Sequence, residues 1–346
     1  MSDIKFALWN IAWMNGLFKT DDSGNVVFQE GDHVPHYGYK KATVLERRKN
    51  IAGVINDIAA DVMVITEGPN QAEELQLFFD SDVNNDWHCY VQPSGAQSVG
   101  IAVRKDKFLI SDIKQFDTKS AQAEPLTSAT NTFLEDTDSD GVKEEHKFHR
   151  KPLYIELTTV DNKSFRVVGV HLKSKGIFDS LEWSAWWAKA DGNRRKILAQ
   201  CNRLRQKFIT PYLTDNATKN IPLIVCGDIN DGPGMDTSEM KLQSSGVERL
   251  MGVIWRPDTT LGNCLYDTMS DKDKDKLDFS DIYTASFKDP IFSNYRRSWI
   301  DHILYSRNAE WIHSASVNHE MSTGEKIYRE FPKASDHVPI TCFISL

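Results

Sequence analysis

The 346-residue chain is 40% hydrophobic and 26% charged, an ordinary soluble balance, and is long enough for one large α/β domain or two small ones. Its formal net charge of −8 excludes a surface built throughout to attract a polyanion, so any nucleic-acid contact has to be local. No apolar run reaches the length of a membrane span, and MSDIKFALWNIAW lacks a basic n-region and a cleavage site, so a cytoplasmic protein without a membrane partner is expected.

Lys5 to Trp9 reads as a first strand that ends at Asn10, followed by a polar insertion or mobile loop at 19–39. From Ala42 to Ala59 the apolar Val44, Ile51, Val54, Ile55 and Ile58 recur at helical spacing, which predicts an amphipathic helix on a sheet. VMVIT after Asp61 is a buried strand ending at Glu67, where Gly68-Pro69 breaks it. Gln71 to Phe79 reads as helix, and Trp87–Gln92 with Val99–Val103 as paired strands. The acidic stretch 114–146 reads as an exposed connection. Its Asp136, Asp138 and Asp140 resemble a calcium loop but lack the bidentate acid at the far end.

In RKPLYIEL, Leu153, Ile155 and Leu157 alternate with positions expected to be more exposed, and Phe165 to Leu172 is a buried run carrying His171 near its end. A lone histidine there is commonly structural, but Lys173 and Lys175 beside it suit an anionic group. Trp183, Trp186 and Trp187 sit at helical spacing and read as packing residues more readily than as base-stacking ones. Asn193 to Phe208 is a second long amphipathic helix. IPLIVCGDIND then gives a strand buried on both faces. Gly227 turns the chain, and alternation places Asp228 and Asn230 on one face at the strand's lip, though an Asp-x-Asn turn has the same look. Thr237 to Leu250 reads as helix, and 256–295 as polar with a solvated KDKDK. SWIDHILYS is a strand with Asp301 in its middle, and Asp336-His337 precedes the last strand. Basic clusters at Lys40-Lys41, Arg47-Arg48-Lys49, Arg194-Arg195-Lys196 and Arg296-Arg297 read most simply as solvated faces. The five cysteines are scattered among apolar neighbours, as reduced core thiols are, and no CxxC pair argues for zinc.

WNIAWMNG, VITEG, RKPLYIEL, VHLKSK, CGDIND, WIDHILYS and SDHVPI run in the order of, and together resemble, the endonuclease/exonuclease/phosphatase superfamily, the fold of deoxyribonuclease I and exonuclease III, over nearly the whole chain. The resemblance implies a single α/β domain over 1–346, a four-layer sandwich of two mixed β-sheets with flanking helices, with insertions near 19–39, 114–146, 176–191 and 256–295. It implies that Glu67 holds Mg²⁺ or Mn²⁺, with Asn10 and Asp336 completing or supporting the oxygen shell. Asp228 would orient or deprotonate the attacking water, Asn230 would hold the water or phosphate, His171 and His337 would face the phosphate, and Asp301 would fix the far nitrogen of His337. Arg150 matches a family arginine near the phosphate path, with His149 competing for that place; Lys173 and Arg194 would also reach the phosphate. The expected activity is metal-dependent phosphodiester hydrolysis with nucleic acid as substrate and no obligate protein partner. The alternative is a phosphatase or phosphodiesterase for a small phosphorylated compound, and a non-catalytic scaffold would have no need of the full polar set. Gly-Pro after Glu67, and Asn193-Arg194-Arg195 following a Trp-rich insertion, depart from the abasic-site repair members and look more like bacterial nucleases.

Overall fold

β-Branched and aliphatic runs give two six-stranded sheets in this computed structural model, which describes residues 3–36, 39–95, 97–116, 126, 132–177, 183–232, 242–276, 282–288, 294–308 and 310–346. With strands numbered in chain order, the first sheet runs β17 (Ile312–Val317), β18 (Ile340–Ile344), β1 (Ile4–Asn10), β4 (Val62–Gly68), β6 (Ser98–Arg104) and β5 (Trp87–Gln92). The second runs β13 (Leu261–Asn263), β16 (Asp301–Ser306), β12 (Leu223–Asp228), β11 (Ser164–His171), β10 (Leu153–Thr158) and β7 (Lys114–Gln115). Neighbours are antiparallel except for one central pair in each sheet, β1 with β4 and β11 with β12. A parallel pair needs a long crossover, and helices α1 (Val44–Ile58) and α3 (Trp183–Leu204) supply the two.

Side-chain alternation sorts the core into three slabs. Phe6, Leu8, Val62 and Val64 point inward to meet Leu153, Ile155, Val167, Ile224 and Ile303 of the other sheet. Ala7, Trp9, Met63 and Ile65 point outward against α1 and against α2 (Ala72–Asp82). Val168, Val170, Leu223 and Val225 face Ile197, Cys201 and Leu204 of α3. The layers are therefore helix, sheet, sheet, helix, as the family resemblance implies. Helix α1 starts at a capping box, Thr43 accepting from the Glu46 amide while Glu46 reaches back, and buries Ile51, Val54, Ile55 and Ile58, each stabilising by about 1.5–3 kcal/mol. All five cysteines are buried and unpaired, and no described helix is long and apolar enough to cross a membrane.

Several local expectations are corrected. Strand β10 is buried throughout, because the helical layer covers its second face: Tyr154 packs beside Phe208, and Glu156 is held by Arg166 at 2.7 Å. The strand expected over Ser298–Tyr305 is broken after Ser298, so Asp301 opens β16 instead of lying mid-strand. Residues 19–39 include a small hairpin, β2 (Phe18–Thr20) with β3 (Val26–Phe28). The stretch 114–146 contributes β7 to a sheet edge and the hairpin of β8 (Phe133–Glu135) and β9 (Glu144–His146), with Phe133 buried. Within 256–295, β13 extends the second sheet and Leu261, Cys264 and Leu265 are buried. The Trp-rich segment and the expected second long helix are one helix, α3; Trp187 on it is 53% exposed, against the packing role expected. Of the helix expected over Thr237–Leu250, residues 237–241 lie outside the described residues, and the described helix α4 spans Gly246–Met251.

Candidate active site

Both parallel pairs end at the same rim of the sandwich, where β1 and β4 face β12 and β11 across the core. Asn10 is the last residue of β1, and register sets His171 opposite Asp228 and Asp228 opposite Asp301. A register shift between Ile65 and Gly68, with Glu67 at φ 55°, re-aims the Glu67 carboxylate toward the rim. Gly227 has φ 147°, and a Cβ there would stand 1.8 Å from the Val170 carbonyl oxygen. Gly227→Ala should cost on the order of 3 kcal/mol in chemical denaturation, because the strain and the collision fall on the strand that carries Asp228. Asn230 has φ 58°, so alternation does not govern it: Asp228 turns toward Asn10, while the Asn230 Nδ2 donates to the Leu172 carbonyl at 3.3 Å. The two are joined instead by the Asn230 amide N–H donating to Asp228 Oδ1 at 2.9 Å.

The polar groups meet across the seam between the sheets. Asn10 Nδ2 donates to Asp228 Oδ2 at 3.0 Å and approaches Glu67 Oε1 at 3.4 Å, while its Oδ1 accepts from the Ala12 amide, so in this orientation Asn10 faces the carboxylates as a donor. His171 Nε2 lies 3.7 Å from Asp228 Oδ2 and 3.9 Å from Glu67 Oε1, too long for hydrogen bonds. His337 Nδ1 is 2.7 Å from Asp301 Oδ2. The segment carrying His337 is fixed by Ser335 Oγ donating to the Asn10 carbonyl at 2.7 Å and Trp9 Nε1 donating to the His337 carbonyl at 3.0 Å. Asn10, His171, Asp228 and Asp301 are all buried.

No protein-family model and no curated protein sequence matches the chain. Solved structures do. The catalytic domain of human Nocturnin with bound sulfate aligns over 99% of this chain and 93% of its own at a TM-score of 0.52 and 17% identity. TDP2 from Caenorhabditis elegans aligns over 100% and 75% at 0.51 and 13%, and D. rerio TDP2 complexed with a single-strand DNA product over 100% of both chains at 0.50 and 13%. The chain shares the fold of these structures, a deoxyribonuclease-I-like sandwich.

On this deoxyribonuclease-I-like frame the two imidazoles are in opposite electrostatic settings. Burial, with the positive Arg150 and His337 nearby, holds the pKa of His171 well below the usual histidine value, so it is neutral. Burial also opposes the charged form of His337, but Asp301 above all, then Asp336 and Asp228, outweigh it and raise its pKa well above the usual value. Asp228 is pushed up to about 7 by burial, then by the charges of Asp301 and Glu67, against the pull of His337 and the Asn10 hydrogen bond. Asp228, Asp301 and His337 place ligand atoms within 4.8 Å of one another, with His337 Nδ1 already engaged by Asp301. The carboxylate that fits a hard divalent cation is Glu67: its Oε2 accepts from the Trp13 amide at 2.9 Å and Gln97 Nε2 at 2.7 Å, while Oε1 has the long contacts to Asn10 at 3.4 Å and His171 at 3.9 Å. The repulsion of buried Asp228 by half-buried Glu67 is a second sign that positive charge belongs there. Burial lowers the pKa of Arg47, opposed by the charges of Asp336, then Tyr39 and Glu67. The acidic turn at Asp136 is held by the Ser139 and Gly141 amides, and Asp138 by Arg195 at 2.8 Å.

Arg150, not the exposed His149, reaches the rim. It donates to Gln97 Oε1 and to the Leu172 carbonyl at 3.2 Å. Lys173 is half-buried with its ammonium on the Ser174 carbonyl at 3.2 Å, and Lys175 is drawn to Asp231 at 2.5 Å. Arg194 lies half-buried on α3, where the adjacent Asn193 holds the Gly176 carbonyl at 2.8 Å. Two residues of the rim were not singled out for it in the sequence. Gln97 bridges Glu67 and Arg150; one glutamine in a loop between strands carries no pattern. Arg47, expected on a solvated face, is 1% exposed and donates to the carbonyls of Ile11, Ala12, Lys333 and Ala334, tying the chain after Asn10 to the chain before Asp336. Its sign was visible: Arg47 sits at helical spacing with Val44, Ile51 and Val54, on the buried stripe.

Proposed function

We propose that the chain is a divalent-metal-dependent phosphodiester hydrolase, most directly a nuclease that cleaves DNA or RNA by in-line attack of an activated water. The observation that carries this reading is the meeting at one rim of a carboxylate with a spare oxygen (Glu67), a carboxylate poised near neutrality (Asp228), a neutral imidazole (His171) and a charged one (His337). A phosphodiester is an anion with a poor leaving group, so it needs a base, hydrogen-bond donors and fixed positive charge in one place. The single-strand DNA product in the fish TDP2 structure of the same fold supports nucleic acid as the polymer.

Glu67, supported by Asp336 and by the donor Asn10, would hold Mg²⁺ or Mn²⁺, which offsets phosphate charge and stabilises the leaving oxygen. Asp228 accepts the proton of the attacking water, its pKa near 7 matching that task at neutral pH. Asn230 positions Asp228 through its backbone amide, and its carboxamide would steady the water or a phosphate oxygen on leaving the Leu172 carbonyl. Neutral His171 donates to a nonbridging oxygen in the gap beside Asp228, and protonated His337, fixed by Asp301, offsets charge as it grows. Arg150, Lys173 and Arg194 are proposed to bind substrate phosphates. Gln97 keeps Arg150 off Glu67, so the guanidinium retains its charge for the substrate.

The deciding test is a panel of labelled single strands, duplexes, RNA and small phosphoesters, with and without chelator. Polymers left intact in Mg²⁺ and Mn²⁺ would refute the nuclease reading, and phosphate released only from small compounds would put the alternative in its place. Gln97→Ala is expected to raise the Mn²⁺ concentration giving half-maximal activity by about 10–100-fold, because Glu67 loses one of its two orienting donors, with a matching weakening of Mn²⁺ binding by calorimetry.

A further inference from the structure

We propose that the ribbon of β14 (Ala285–Lys288) and β15 (Tyr295–Ser298) is a docking surface for single-stranded nucleic acid, where bases stack on Tyr295 and phosphates meet Arg297. This rests on the phosphodiesterase reading. The ribbon grows from the site itself: Ala285 bridges to His337, the Ser286 amide donates to the Asp336 carbonyl at 2.9 Å, and the Val338 amide to the Thr284 carbonyl at 2.6 Å. What binds on it is therefore a few residues from the reacting phosphate.

Register decides which side chains share a face. Ser286 pairs with Arg297 and Lys288 with Tyr295, so Arg297 and Tyr295 stand on one face, while Phe287 and Arg296 stand opposite each other on the other. Each face thus sets an aromatic ring beside a guanidinium. Tyr295 is 72% exposed and Phe287 43%, and both arginines are exposed; Arg297 is steadied over the Tyr283 ring at 4.6 Å. The Lys40 ammonium likewise lies 5.0 Å from the Tyr39 ring.

The chemistry selects the occupant. The described neighbours of Tyr295 on this face are Ser286 and a cation, so the ring stands among polar groups. A ring next to a fixed cation matches a base next to its phosphate, and only an unpaired strand offers the faces of its bases. On a chain of net charge −8 this is a local attraction, not a general one.

The test uses the full chain, with fluorescence anisotropy on a labelled oligothymidylate in chelator, so that binding is read without cleavage. Tyr295→Ala should weaken binding about 10-fold and Tyr295→Phe should restore it, while Arg297→Ala should lower the salt slope by about 0.7. In Mn²⁺, Tyr295→Ala should raise KM for the single strand by a similar factor with kcat little changed, and leave kcat/KM for thymidine 5′-p-nitrophenyl phosphate unaltered. Unchanged oligothymidylate binding in Tyr295→Ala, equal losses on the small ester, or tighter binding of duplex with the same sensitivity to Tyr295→Ala would each overturn the proposal. A parent protein that binds the strand through Tyr295 but hydrolyses nothing would refute the phosphodiesterase reading and leave the docking surface standing.

Discussion

Asp228→Asn is expected to lower kcat by about 10³–10⁴-fold while leaving the melting temperature equal or higher. The carboxylate is buried, repelled by Asp301 and Glu67, and pushed up to about 7, so in the absence of a cation its ionised form is costly to keep. The carboxamide removes that charge at nearly constant shape. It gives up one acceptor, since Asn10 Nδ2 and the Asn230 amide bond to different oxygens of Asp228, and the two effects oppose each other. The rate has no such compensation, because an amide cannot take a proton from water. For the parent, activity should climb as pH rises through the Asp228 pKa, at or below about 7, since only the ionised form is a base. Parallel measurement of kcat and of thermal unfolding checks the split. A variant that unfolds early would make Asp228 a structural residue, and one that retains most of its activity would remove it from the chemistry.

Asp301→Asn should lose on the order of 10²–10³-fold at neutral pH and shift the alkaline side of the pH–rate profile to lower pH. His337 keeps its proton because Asp301 outweighs the effect of burial. Without that carboxylate, burial weighs more heavily and the imidazole gives up its proton at lower pH. The sign follows from linkage. A folded-state pKa raised above the unfolded value contributes stability that is complete below about 6.5 and is lost as pH rises through the raised value. Asp301→Asn should therefore destabilise more at pH 6 than at high pH. An alkaline limb that stays in place would show that His337 does not act as a cation.

The sequence made the strand ends legible because a buried apolar run that stops at a polar residue leaves that residue at a rim: Asn10, Glu67, His171 and Asp228 all follow this rule. It failed where the backbone leaves the extended region. Period-two counting past Gly227 put Asn230 beside Asp228, but the left-handed Asn230 sends its side chain to Leu172. The break before Asp301 was hidden for the opposite reason: Trp299 and Ile300 look like strand, yet the amides of Ile300 and Asp301 both donate to the Thr284 hydroxyl, a partner from distant sequence. Gln97 and Arg47 work by contacts to backbone and side chains far along the chain, which local patterns do not encode.

The sheets approach each other closely below the rim, for a Cβ on Gly169 would stand 2.7 Å from Val99 across the seam. Above it, Asn10 with Asp228, Glu67 with His171, Gln97 with Arg150 and His337 with Asp301 each reach from one sheet to the other. The chemical centre is thus also the clasp of the sandwich, and spacing among its groups is gauged by the thickness of the oily slab beneath. A methyl wedged at Gly169 would prise that clasp ajar with every polar group still present, and the proposed hydrolytic activity is expected to fall before the fold does.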